Sequence, residues 1–296
     1  MKTMIVLHAA MAASLGLSVS APVDFPIPNN VTFDRGVEYS NPDDQHLQLN
    51  IARPKDAAVP LPAVLCIHGG GFRAGNREGH DRLCVRLAQR GFVAATASYR
   101  LAPKYPFPAA VQDVKAAVRW LRANAAKYQI DPARIGTTGD SAGGTLAQFL
   151  GVTAGVKEFE GDGGNPGQWS SVACVVNRCG ASDFTKSYGN SVDAAEVLPL
   201  YLGGDLKTAR ALHIKASPLN WVTPNAAPTL LLHGTEDKYV AHEQSVWMRD
   251  RLQACGVEAE LVTFERAGHG FKAADIQRAD QALFLFFEKH LKPKAN

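Results

Sequence analysis

The sequence predicts an α/β protein built on a mostly parallel, doubly wound central sheet. Three observations carry that prediction. Short, wholly apolar runs of strand length recur along the chain; helical patterns lie between them; and a Gly-x-Ser-x-Gly pentapeptide, Gly139-Asp140-Ser141-Ala142-Gly143, sits where one such run passes into a helix-like stretch. Apolar runs without alternation suit parallel strands buried on both faces.

Taken in order, residues 31–39 and 46–53 alternate instead. The second puts Leu47, Leu49 and Ile51 on one face, as half-buried antiparallel strands do. From residue 63 the texture changes: 63–67, 92–97, 134–138, 172–176 and 229–232 are continuous apolar runs, and 259–264 is strand-like. Across 109–128, Val111, Val114, Val118 and Leu121 recur at helical spacing, and Asp131-Pro132 turns the chain towards the next strand. The last helix is expected over Ala273–Leu291. Residues 182–221 break the alternation, with Gly189, Pro199, Gly203-Gly204 and Pro218 as punctuation. A stretch of that length reads as a lid of short helices inserted into a single domain spanning 21–296.

Composition narrows the partners. A net charge of +3 with no dense Lys/Arg stripe argues against nucleic acid, which leaves small-molecule chemistry. Lys2, the apolar stretch 4–17 and Ser18-Val19-Ser20-Ala21 predict a signal peptide over residues 1–20, hence a secreted or periplasmic protein, or a cytoplasmic one if the leader stays unprocessed. That stretch falls short of the about 20 apolar residues a span needs, so no stable membrane insertion is expected. Five cysteines, Cys66, Cys84, Cys174, Cys179 and Cys255, lack zinc-ligand spacing, and Cys66 and Cys174 lie in strand-like runs. They are expected as buried free thiols, with no metal and no cofactor.

The pentapeptide makes Ser141 the candidate nucleophile, because glycines two before and two after remove Cβ atoms that would crowd a sharp strand-to-helix turn. A serine hydroxyl needs a base that is itself oriented by an acid. His269, glycine-flanked after a strand, is the preferred base, and His233 the rival. Asp237, shortly after the 229–232 run, is the preferred acid; Asp183 competes, whereas Glu236 is expected in solvent. The order serine, acid, histidine suits a hydrolase triad. Upstream, His68-Gly69-Gly70-Gly71-Phe72 offers backbone N–H groups that, with that of Ala142, could meet an oxyanion. No Lys-Ser/Thr ending makes it a phosphate loop. His68 and Asp140 are expected to hold loops, and Phe72, Phe184 and Tyr188 to contact substrate, with Phe107, Trp169 and Trp221 as further aromatic candidates.

With these pieces assembled, the chain resembles the α/β-hydrolase fold, and within it the hormone-sensitive-lipase-like carboxylesterases. The matching motifs are His68 to Phe72, Ser98-Tyr99-Arg100-Leu101-Ala102-Pro103, Tyr105-Pro106-Phe107-Pro108-Ala109-Ala110, Gly139 to Gly144, Ala216-Ser217-Pro218, His233 to Val240 and Gly268-His269-Gly270-Phe271. In look it is most similar to bacterial acetyl and feruloyl esterases. The resemblance implies a triad of Ser141, Asp237 and His269, an oxyanion hole of Gly70, Gly71 and Ala142, and short acyl or aromatic esters of small molecules or oligosaccharides as substrates. It leaves no room for the large N-terminal cap of lipase-like relatives, which argues against long lipid chains. A lipase-like hydrolase, an amidase or peptidase, and a non-catalytic binding protein of the same fold are the alternatives.

Overall fold

A computed structural model describes residues 25–292 of this protein. The expected leader, residues 1–20, lies outside the described residues. The chain runs through β1 (Val31–Ser40), β2 (Leu47–Pro54), β3 (Leu61–Ile67), α1 (Asp81–Ala88), β4 (Val93–Ala97), α2 (Ala109–Ala123), α3 (Ala125–Tyr128), β5 (Ile130–Asp140) and α4 (Ala142–Val152). It continues through β6 (Val175–Arg178), α5 (Ala194–Leu202), α6 (Arg210–Lys215), β7 (Thr229–Gly234), α7 (Glu243–Ala254), β8 (Ala259–Phe264) and α8 (Ala273–Leu291). The strands form one eight-stranded sheet in the order β1-β2-β4-β3-β5-β6-β7-β8. β2 pairs antiparallel with β1 and β4, and every other pairing is parallel.

The continuous apolar runs become the central strands because both sheet faces are covered. Ala63, Leu65 and Ile67 of β3 face a core shared with α2 and α4, while Val64 and Cys66 face one shared with α1 and α8. A smaller cluster joins Leu231 of β7 to Met248 and Leu252 of α7. Every fully buried Leu or Ile in these layers is worth about 1.5–3 kcal/mol relative to exposure.

Several boundaries differ from the sequence expectation. The expected half-buried strand β2 is covered on its polar face too: Asn50 is buried there, its Nδ2 donating to Asp81 Oδ1 at 2.8 Å while Arg77 Nε donates to its Oδ1 at 3.0 Å. A paired polar group is cheap to bury, so alternation did not signal exposure. The expected 109–128 helix breaks at Asn124, and α3 ends on Gln129 at φ +56°. The strand expected over 172–176 begins only at Val175, because β6 pairs with β5 from Thr137↔Val175 onward. Residues 182–221 carry α5, α6 and two short 3-10 turns. Among the described residues no helix is long and apolar enough to cross a membrane.

Candidate active site

Ser141 stands between β5 and α4 at φ +52°, ψ −122°, a left-handed backbone that a non-glycine residue adopts only when its surroundings force it. The forcing is visible in its glycine neighbours. A Cβ on Gly139 would lie 2.3 Å from the Gly143 carbonyl oxygen, and one on Gly143 would lie 2.0 Å from that of Ile67. The Ser141 amide donates to the Arg178 carbonyl of β6 at 2.8 Å, anchoring the turn. Ala142 opens α4, so its N–H has no intrahelical acceptor.

The glycine loop after β3 approaches from the other side. Gly70, Gly71 and Phe72 all have positive φ, +114°, +59° and +60°, and the turn closes through the Arg73 and Ala74 amides donating to the Gly70 carbonyl. His68 buttresses the loop: its Nδ1 donates to the Gly69 carbonyl at 2.8 Å and its ring stacks on Tyr99, centroids 4.2 Å apart. Burial pushes its pKa down to about 4, so it stays neutral. Asp140 accepts from His80 Nε2 at 2.7 Å. Burial works against the Asp140 carboxylate, but His80 and Arg178 outweigh it and hold its pKa below the usual value.

His269 follows β8 and Asp237 follows β7. His269 Nδ1 donates to Asp237 Oδ2 at 2.7 Å. The other carboxylate oxygen accepts from the Tyr239 and Val240 amides, each at 2.9 Å. His233, the rival base, lies behind the acid. Its Nε2 donates to the Val240 carbonyl at 2.9 Å and to Asp237 Oδ2 at 3.2 Å, while its Nδ1 accepts from Ser245 Oγ at 2.7 Å. Asp183, the rival acid, is used locally: its Oδ1 accepts from the Thr185 amide and hydroxyl. Burial alone would raise the Asp237 pKa; the hydrogen bonds from His233 and His269 overcome it and keep the carboxylate ionised. Burial likewise disfavours a charged His269, yet the bond to Asp237 and the neighbouring Cys179 more than offset this and raise its pKa.

Ser141, His269, Gly70, Gly71 and Ala142 line one cavity of about 420 Å³. Phe72 and Phe184 stand in its wall, Phe72 stacked on Tyr201 at 3.8 Å between centroids and edge-on to Phe184 at 5.9 Å. Tyr188, expected at the substrate, is a correction, because it is absent from the cavity lining. Its hydroxyl donates to His213 Nε2 at 2.9 Å, an acceptor because His213 Nδ1 donates to the Ala209 carbonyl, and Ser187 takes its place on the wall. Trp169 is also elsewhere, with Arg122 over its ring at 4.9 Å.

Residues the sequence did not single out also reach this site. Arg73, Asp193 and Val197 line the cavity, and Cys179, a buried thiol at the end of β6, lies against His269. The position of Cys179 at a strand's carboxyl end, where sites of open α/β sheets collect, was the available signal. All five cysteines are free; Cys255 alone of them is partly exposed rather than buried.

The sheet order and the serine turn at its carboxyl edge define an α/β-hydrolase. Residues 49–252 match the family model BD-FAE, and the chain belongs to that family. Esterase LipC of Mycobacterium tuberculosis is 33% identical over 82% of this chain and 62% of its own length, so the chain spans less than two thirds of that relative. An ethyl acetate hydrolase of Pseudomonas putida is 32% identical over 83% of this chain and 78% of its own length. A truncated form of a carbohydrate esterase from gut microbiota superposes with a TM-score of 0.79 at 29% identity, covering 88% of this chain and 97% of that one. These relatives are ester hydrolases, and the chain shares their fold.

Proposed function

We propose that this chain is a serine carboxylesterase that hydrolyses short-acyl esters through an acyl-enzyme. The carrying observation is the convergence in one cavity of a serine held at φ +52°, a histidine bonded at 2.7 Å to a buried carboxylate, and the loop amides of Gly70, Gly71 and Ala142. Ser141 Oγ attacks the ester carbonyl carbon and gives its proton to His269 Nε2, the nitrogen that Asp237 leaves free. Asp237 fixes the tautomer and stabilises the imidazolium. The three amides take the oxyanion, each such donor contributing about 2.7–4 kcal/mol to the transition state. His269 then protonates the departing alkoxide, and water repeats the sequence on the acyl group.

The wall supports the short-acyl reading. Phe72, braced by Tyr201 and Phe184, and Val197 of α5 close the apolar side of the cavity. Arg73, Ser187, Ser191 and Asp193 give the rim polar groups suited to a hydroxylated alcohol such as a sugar. The ethyl acetate and carbohydrate ester chemistry named for the relatives agrees with both features. Export by a leader over residues 1–20 belongs to the same reading and is tested by N-terminal sequencing of the expressed protein. The activity is tested with p-nitrophenyl esters from acetyl to palmitoyl beside acetylated and feruloylated oligosaccharides. A maximum in kcat/KM from acetyl to butyryl is expected, and a maximum at octanoyl or beyond overturns the short-acyl assignment.

A further inference from the structure

We propose that Cys179, Asp237 and His269 form a capture site for Zn2+ whose occupation withdraws His269 from catalysis. The consequence for activity rests on the reading of His269 as base; the binding stands on geometry alone. A sulfur, a ring nitrogen and a carboxylate oxygen from these residues lie within 4.8 Å of one another. They come from three loops, after β6, β7 and β8, which is why no ligand spacing appears in the sequence.

Sulfur, nitrogen and oxygen are the donors zinc takes, at about 2.3, 2.0–2.1 and 2.0–2.2 Å in a tetrahedron, which sets the ligand atoms roughly 3.4–3.6 Å apart. The 2.7 Å His269–Asp237 contact would open by roughly 0.7 Å and the sulfur would close by at most roughly 1.2 Å to reach those spacings. A thiolate and a carboxylate together balance the dication, so no charge is left buried without a partner. The thiol proton goes to solvent and the Nδ1 proton passes to Nε2, so the imidazole stays neutral and the nitrogen that would take the serine proton is blocked.

The surroundings hold the ligands: His233 Nε2 donates to Asp237 Oδ2 at 3.2 Å, which leaves that oxygen a second lone pair for the metal. Asp237 is oriented by the Tyr239 and Val240 amides on the oxygen not facing His269. Cys179 has φ +47°, a left-handed backbone rare for a side-chain-bearing residue, with its amide fixed to the Leu232 carbonyl at 3.0 Å. A second cavity, of about 410 Å³, is lined by Cys179 and His269 and gives water, the fourth ligand, a way in. Arg86 and Arg178 also line it, but both are ion-paired with Asp280.

The test titrates the full chain with buffered Zn2+ during p-nitrophenyl acetate hydrolysis, alongside Cys179→Ala, Cys179→Ser and Cys255→Ser, each measured against its own metal-free rate. Inhibition reversed by EDTA is expected, with the half-inhibitory concentration raised by roughly tenfold or more in both Cys179 variants and unmoved in Cys255→Ser. Co2+ supplies a readout independent of activity: a thiolate-to-cobalt charge-transfer band should form in the parent chain and vanish in Cys179→Ala. Absence of that band, or equal zinc inhibition with and without Cys179, overturns the site. A band with undiminished hydrolysis keeps the site and removes His269 from the role of base.

Discussion

The serine turn and the segment 182–221 both border the cavity, and they meet it in opposite ways. At the turn, added Cβ atoms collide with fixed neighbours: Gly139 and Gly143 with backbone carbonyls at 2.3 and 2.0 Å, Gly144 with Asn177 Oδ1 at 2.3 Å. In the segment, Gly189 and Gly203 adopt φ of +81° and +73° with nothing within 4 Å of the Cβ they lack. The turn uses glycine for close approach of backbone to backbone; Gly189 and Gly203 serve backbone direction, and at Gly204 an added Cβ would meet only side-chain atoms, Thr208 Oγ1 at 2.7 Å the nearest. On the proposed reading, chemistry therefore rests on packed backbone that leaves no room for a side chain, whereas the segment meets the cavity through side chains such as Phe184, Ala194 and Val197.

The comparison can be broken most sharply at the serine. Ser141→Ala should cost about a million-fold in kcat while leaving thermal unfolding unmoved, since no core volume is lost. Retention of a few per cent of activity in a pure preparation would remove Ser141 as nucleophile. Next in size, Asp237→Asn should cost about ten-thousand-fold by favouring the wrong imidazole tautomer. Asp183→Asn, within the segment, should leave kcat within a small factor and show its effect in stability. The reverse ranking would transfer the acid to the segment.

Gly139→Ala should lower kcat by about a hundred-fold or more, because relieving its 2.3 Å contact displaces Ser141. Gly189→Ala, by contrast, should cost about 1–2 kcal/mol through its left-handed backbone, with KM and kcat kept. Equal kinetic damage from the two would erase the distinction drawn above. The pH profile sharpens the chemical side: only neutral His269 can accept the serine proton, so activity rises with pH through its pKa. That pKa is raised, so the acid limb of kcat/KM should be centred above the ordinary histidine value of about 6.5 and move down in Asp237→Asn. A limb at or below about 6.5 in the parent chain contradicts the bond to Asp237 as the dominant influence.

Much of this was legible in the residues. The apolar runs became the central strands, the 273–291 helix has the expected limits, and the glycine patterns around Ser141 and Gly70 mark two places where backbone crowds backbone. Misreadings arose where a partner distant in sequence decided the matter. The strand 46–53 was expected to be half-buried, but Arg77 and Asp81 cover Asn50 on its polar face. Tyr188 looked like a substrate aromatic until His213 captured its hydroxyl, and Asp183 was an open rival until the Thr185 amide and hydroxyl occupied it.

What the sequence by itself determined is local: strand periodicity, the glycines that permit a strained serine turn, and the order of Ser141, Asp237 and His269 along the chain. These follow from steric and hydrophobic properties of neighbouring residues, which need no fold to act. Only the tertiary structure decided that His233 and His269 both meet Asp237 while His269 lines the cavity, which aromatics face that cavity, and that Cys179 arrives beside His269. Those meetings join loops leaving β6, β7 and β8, and their distances are set by parallel strand pairing across the sheet, a relation no local spacing encodes.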